Sequence, residues 1–340
     1  MIKPTEKNKD GLKRCEYTKG LTYVLTKRNN YKHCFVFEDG KMTKIFTSSE
    51  NEIPEGSIIV GRISEIVPSI HAAFVCITPK EKCFVKLSDL LPEYNLAREN
   101  AECKTGDLIA VKITKTASKG KKASATTLLD DDESVNKLLL ENSRHKPQYT
   151  VIERDYPKYL LPLKSTVASE ISDICVTDNL EIISEVKDYF GADINLYSDS
   201  LVSLSALMGI ESKISDAINK KVWLDSGAFL YIEPTEAMTV IDVNSGKNST
   251  KKSDDLFWNI NVEACETIID QIILRNLSGI IIVDFINLSD KSKRKELLNI
   301  LTEIAQNRDD SINIVDMTGL GLVEITRRKS GLSIYEQFYG

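Results

Sequence analysis

No stretch of this 340-residue chain is apolar for long enough to span a bilayer, and its first fifteen residues are charged, without the apolar stretch of an export signal. A membrane partner is therefore not expected, and the compartment that fits is the cytoplasm. Basic charge is not in excess either: 44 Lys and Arg against 50 Asp and Glu leave a net −6. Any nucleic-acid contact must then come from local basic patches, not from the field of the whole chain. Histidine is scarce. His33, His71 and His145 stand isolated, four ligands at finger-like spacing are lacking, and no zinc is expected. The seven cysteines, at positions 15, 34, 76, 83, 103, 175 and 265, are odd in number and hold no C-x-x-C pair, which fits reduced structural thiols inside apolar patterns. The length corresponds to two or three domains, each large enough for its own core.

What is present centres on Ala237 to Leu288. An apolar run ends at Asp242, followed by Asn244 and the turn Ser245-Gly246; a second, Gly279-Ile-Ile-Ile-Val, ends at Asp284. Between them Trp258, Val262, Cys265, Ile269 and Ile272 recur at helical spacing and draw one apolar stripe. Ser253 suits the start of that helix, with Asp254 and Asp255 in its first turn, and Arg275, Asn276 and Gly279 suit its end. Strand, crossover helix and strand leave the two strands parallel, so both carboxylates reach the same sheet edge. Expected on the buried side and with no Lys or Arg beside them in sequence, the two would repel unless one kept its proton or a cation sat between them. A hard divalent ion resolves this best, magnesium first and manganese as its substitute, because it accepts carboxylate oxygens and keeps places for water and phosphate. A single strand-end Asp would more simply cap a turn; the pair favours the metal. Apart from Cys265 on the helix stripe, no His or Cys lies here, which argues against a histidine relay or a thiol nucleophile.

The run Glu236 to Gly246, then Asn261-Val-Glu263-Ala, then Arg275 to Phe285, then Leu320-Gly-Leu-Val-Glu324-Ile-Thr326-Arg327 resembles the catalytic region of the bacterial ribonuclease E/G family. The resemblance implies a magnesium-dependent endoribonuclease for single-stranded RNA that leaves a 5′-phosphate and a 3′-hydroxyl. Asp242 and Asp284 would hold the metal, and Asn244 would orient the site by fixing the water or a carboxylate.

Earlier in the chain, Leu21 to Lys27, Cys34 to Glu38 and Lys44 to Thr47 read as strands of a small sheet. Ile58 to Val67, Ala72 to Ile77, Cys83 to Lys86, Leu108 to Thr114 and Ala123 to Leu128 then read as a closed OB-type barrel. Phe74 and Phe84 on adjacent strands could stack bases or pack the core, with equal weight. The run Lys112 to Lys122, with five lysines and no acid, tips the choice toward a phosphate-tracking groove, although a lysine run alone is more often a solvated loop. Residues 58–75 look like the RNA-binding barrel of the same family, and by that match Phe74, Phe84 and Lys121 contact RNA. Lys112 and Lys247 are added as basic neighbours. Thr326-Arg327-Arg328-Lys329 is the candidate grip on the scissile strand, since guanidinium groups match phosphate bidentately; a solvated helix start is the plainer reading.

Residues 130–146 read as a linker. The family carries at this place a segment with an Arg-Thr motif that senses a 5′-monophosphate; too little chain stands between Thr127 and Pro147 for it, so no discrimination by the RNA 5′ end is expected. From Asp173 on, a strand at Ile174 to Val176, a helix at Asn179 to Phe190, a strand at Asp193 to Tyr197 and a helix at Ser205 to Val222 give an α/β piece. The expected fold class is α/β in several domains, which the resemblance implies to be a ribonuclease H-like domain (1–52 and 147–218) interrupted by the OB-type barrel (53–129), then a deoxyribonuclease-like catalytic domain (219–340). Asn287 stands where relatives often have an acid, which weakens the expected surroundings of the metal. The chain stops short of the cysteine motif through which relatives share zinc, so any oligomer is expected to use another interface. The alternative function is a catalytically weak or inactive RNA-binding regulator, and retention of Asp242, Asn244 and Asp284 speaks against it.

Overall fold

Three short runs after Leu21, separated by tight turns, fold in the computed structural model as an antiparallel meander of β1 (Leu21–Arg28), β2 (Tyr31–Glu38) and β3 (Lys41–Ser49). The structure describes residues 20–339 apart from 51, 99–100, 118–121, 247–252 and 330. Asn29, Asp39 and Gly40 take left-handed backbone angles in the two tight turns, where Asn, Asp and Gly are tolerated best.

The chain then enters the barrel: β4 (Ile58–Val67), β5 (Ala72–Cys76), β6 (Lys82–Lys86), β7 (Leu108–Lys115) and β8 (Ala123–Thr126). These close in the order β4-β5-β6-β8-β7-β4, with the β6 and β8 pair parallel, a closed five-stranded barrel of OB type. Alternate residues such as Ile59, Ile63, Val75, Val85, Ile109 and Val111 fill its interior. At Gly61 a Cβ would lie 2.4 Å from a Val75 methyl, so only glycine allows β4 and β5 to approach there. The segment expected as a linker carries α1 (Glu133–Ser143), capped by the Asp132 side chain, and buries Leu140 against Ile58, Tyr94, Ala110 and Leu129. A short β9 (Val151–Glu153) follows and pairs with β4.

Beyond the barrel come α2 (Ala168–Ile174), β10 (Cys175–Thr177), α3 (Leu180–Phe190), β11 (Asn195–Leu196), α4 (Leu204–Leu207) and α5 (Ile210–Ile218). Strand β10 lies parallel to β1, which gives the sheet order β11-β10-β1-β2-β3 and makes the barrel an insertion between two parts of one α/β unit. The single helix expected from Ser205 to Val222 is two, because Gly209 between them takes a left-handed φ of 60°.

The last unit is a six-stranded sheet. Its elements are β12 (Lys221–Trp223), β13 (Phe229–Pro234), β14 (Met238–Asn244), α6 (Asp254–Leu274), β15 (Gly279–Asp284), α7 (Lys291–Arg308), β16 (Ile312–Met317) and β17 (Leu322–Arg327). Strand order is β12-β13-β14-β15-β17-β16, and only β14 and β15 are parallel, joined by α6 as the crossover. Ile241, Val243, Ile281, Val283, Val323 and Ile325 pack on the buried face with Cys265, Ile269 and Leu301 of the two helices. Their alternates face outward: Tyr231, Val240, Asp242, Ile280 and Asp284 are exposed. A short α8 (Ile334–Phe338) returns to the first sheet, where Phe338 stacks on His33 at 5.2 Å. Among the described residues no helix is long and apolar enough to cross a membrane.

Candidate active site

Because β14 and β15 run parallel and in register, Asp242 is the direct partner of Asp284. Adjacent strands lie about 4.8 Å apart, so the two carboxylates project side by side from one face. Both are exposed, which departs from the expectation of a buried pair. The helices cover the other face, and each Asp alternates with a buried Ile or Val. On an exposed face two like charges about 5 Å apart repel by roughly 1–3 kcal/mol, a repulsion that a shared cation would relieve.

Asn244 donates from Nδ2 to Oδ2 of Asp242 at 2.8 Å, which fixes the rotation of that carboxylate. The chain turns away at Gly246, with φ 68°; a Cβ there would meet the Gly227 carbonyl at 2.5 Å, so the loops after β12 and β14 touch backbone to backbone. Glu263 on α6 holds the same place by accepting the Ser226 N–H at 3.1 Å. Beyond Asp284, the buried Asn261 of α6 donates to the Ile286 carbonyl at 2.7 Å and accepts the Ile286 N–H at 3.0 Å. Asn261 thus fixes where the chain leaves β15. Sequence reasoning gave it no role, and the signal was a lone Asn on an otherwise apolar helix face. Asn287 accepts from Arg294 at 2.9 Å. Glu324 stands on the same open face, opposite Ile282 and Asp316 and one row from the pair. No group of three or more His, Cys, Asp or Glu side chains gathers at one point among the described residues. Cys265 packs in the core, where burial pushes its thiol up to about 12, so it is a structural group.

Arg327 requires a correction. It is the partner of Gly279, whereas Asp284 is the partner of Leu322, so Arg327 sits at the other end of the strand pair, roughly 17 Å away by strand rise. Its guanidinium is buried and engaged: Nε and Nη2 reach Asp309 Oδ2 at 3.1 and 2.9 Å, and Nη1 donates to Asn276 Oδ1 at 2.7 Å and the Leu277 carbonyl at 3.0 Å. Arg327 therefore locks the sheet to the α6 exit and cannot grip a phosphate at the carboxylates. Arg328 is exposed just beyond it, at that same far end. Lys121 and Lys247 lie outside the described residues.

On the barrel, Phe74 and Phe84 are direct cross-strand partners, edge to face with centroids 6.3 Å apart. Both are half-exposed and alternate with buried Ala73, Val75, Cys83 and Val85, so they face outward and the core-packing alternative falls away. Lys122 Nζ sits 4.2 Å from the Phe74 centroid. Lys82 and Lys86 flank Phe84 on its own face and are exposed. They were missed because the sequence reading looked for a contiguous run of lysines; the signal was a period of two. Lys112 is half-exposed on β7, opposite Thr126.

A family model described as the ribonuclease E/G family matches residues 81–330. The chain is 33% identical to ribonuclease G of Haemophilus influenzae over 232 residues, covering 65% of this chain and 47% of that protein. It is 30% identical to ribonuclease E of Synechocystis sp. over 226 residues, 62% of this chain and 33% of that one. To ribonuclease G of Escherichia coli K12 it is 39% identical over 129 residues, 38% and 26% respectively. The chain thus matches about half or less of the length of these curated relatives.

Proposed function

The chain belongs to the ribonuclease E/G family, and on that premise we propose that it is an endoribonuclease that cuts single-stranded RNA at the Asp242 and Asp284 pair. The observation that carries the reading is their in-register placement on the open face of two parallel strands, with Asn244 holding one of them. The finer parts of the reading are a ribonuclease H-like unit (1–52 and 147–218), a deoxyribonuclease-like catalytic unit (219–340), cytoplasmic work in RNA processing or decay, and no discrimination by the RNA 5′ end.

The donor set at the pair is all oxygen and anionic, which fits a hard divalent ion and leaves further positions for water and a phosphate. Asp242 and Asp284 would hold magnesium, or manganese in its place. When bound, the ion supplies electrophilic stabilisation of the phosphodiester and of the attacking water. The chain's own contributions are positional. Asn244 keeps the Asp242 carboxylate in one rotamer. Asn261 and Glu263 hold the loops beside the two aspartates. On the barrel, Phe74 and Phe84 offer rings to two bases, while Lys82, Lys86, Lys112 and Lys122 face the phosphates. In-line attack of water at phosphorus would break the P–O3′ bond, the 3′ oxygen leaving as a hydroxyl and the 5′-phosphate remaining on the other product.

A second reading, a catalytically weak or inactive RNA-binding regulator, draws support from the absence of a third carboxylate gathered at the pair among the described residues. Incubation of the protein with a labelled AU-rich single strand, with and without magnesium and with Asp242→Asn as control, separates the two. Metal-dependent cutting that the variant loses supports the enzyme, and binding without cutting supports the regulator.

A further inference from the structure

We propose that the open face of the last sheet carries an aromatic shelf, Trp223, Phe229 and Tyr231, that stacks a nucleobase of the RNA beside the phosphate to be cut. The proposal rests on the nuclease reading for the position of the cut, but not for the binding itself. Register fixes the arrangement. Tyr231 is the partner of Asp242 and of Lys221, and Phe229 is the partner of Asn244 and of Trp223. Directly opposed residues in a sheet point to the same side. The shelf and the carboxylates therefore share one face, with Tyr231 one strand from Asp242 and Trp223 two, about 5 and 10 Å across the sheet.

Three large rings on an open face are unusual, because aromatic side chains normally gain most from burial. Trp223 is 63% exposed and Tyr231 41%. Trp223 meets Phe229 edge to face at 5.4 Å. Lys221 Nζ lies 3.7 Å from the Trp223 centroid and 3.8 Å from that of Phe229, so one cation braces both rings. The bracing lowers the ordering cost of a stacked ligand, and the same ammonium adds positive charge where a polyanion would pass. Glu233, the acid next along β13 on this face, is held by Lys220 at 2.7 Å. Stacking is indifferent to base identity, so the ligand class is any nucleobase of a single strand. Had the rings served only to guard the edge strand β12, adjacency to Asp242 and Asn244 would be incidental; the test below separates these cases.

The chain has two tryptophans, and the other, Trp258, packs against the core, so Trp258→Phe leaves Trp223 as the sole reporter. The full chain is titrated with a short labelled oligoadenylate RNA without magnesium, following label anisotropy and tryptophan emission together, with inorganic polyphosphate as a base-free control. The shelf predicts quenching by RNA but not by polyphosphate. It also predicts that Trp223→Ala binds the oligonucleotide about five- to a hundredfold more weakly while Trp223→Phe retains most of the affinity. Emission that stays constant while anisotropy saturates, or a folded Trp223→Ala variant of unchanged affinity, overturns it. Quenching by an RNA that the magnesium-loaded protein never cuts keeps the shelf and removes the nuclease reading; cutting without quenching does the reverse.

Discussion

Asn261, buried on α6, holds both the N–H and the carbonyl of Ile286, two residues beyond Asp284. A helix facing away from the candidate site thereby fixes the path of the strand that presents one of its carboxylates. Replacing Asn261 by Leu takes the side-chain partner from two part-buried backbone groups of Ile286, at up to about 1–3 kcal/mol each. Chemical denaturation should show a loss in that range, and magnesium-dependent cutting should fall in kcat more than in KM. Wild-type cleavage in a destabilised variant would show that the exit of β15 does not matter to the chemistry.

Arg327 is expected to act on stability and not on RNA. It pairs with Asp309, whose carboxyl is raised by burial but held below its usual range overall by the hydrogen bonds of Ser311 and Arg327. Arg327→Ala removes the ion-pair partner of Asp309 and one donor to Asn276, while Asp309 keeps its Ser311 hydrogen bond and is 23% exposed, so the cost should fall below the roughly 3–5 kcal/mol of a fully buried broken pair. Filter binding of RNA by the folded fraction should be unchanged. A large loss of RNA affinity at unchanged stability would restore the phosphate-grip reading.

His33 provides a pH signature. Burial, with help from the Arg28 guanidinium, lowers its pKa to about 4 from the ordinary 6.5. The unfolded chain takes up a proton as pH falls below 6.5 while the folded chain does not until about 4. Stability should therefore decline across that window, by up to about 3 kcal/mol from this group. Above it the group contributes nothing. Comparing the denaturation midpoints of the wild type and His33→Gln from pH 7 downward isolates the effect; parallel curves would refute it.

For the barrel face, Phe74→Ala and Phe84→Ala should each weaken RNA binding by about 1–3 kcal/mol. Their stability cost should be small, since both rings are half-exposed. Lys82→Ala and Lys86→Ala should each reduce the slope of log affinity against log salt by about 1. Salt-dependent anisotropy measures both, and an unchanged slope would remove these lysines from the interface.

Much of this architecture was legible in the sequence, for identifiable reasons. Short strand-like runs bounded by turn residues marked β1 to β8, and the capped, apolar-striped run marked α6, whose Ser253 cap does accept the Leu256 N–H. The closed barrel was expected from five short strands at that spacing. Less legible were features decided by a single residue or by distant partners. The left-handed Gly209 splits a helix whose apolar spacing runs straight through it. Leu139 and Leu140 read as part of a linker because their partners, Ile58 and Tyr94, lie far back in the chain. Arg327 looked like a phosphate ligand because Asp309 and Asn276 are not near it in sequence. Trp223 drew no attention, since nothing local shows that a three-residue edge strand shares a face with Asp242.

The most direct test of the central claim is a manganese titration of the wild type, Asp242→Asn, Asp284→Asn and the double variant, read by electron paramagnetic resonance of the free ion. One ion shared by both carboxylates predicts that either single change removes the same tight site, that the double variant loses no more, and that RNA cutting disappears with it. Single variants that keep wild-type manganese binding, or losses that simply add, would mean that the two side chains do not hold a common cation.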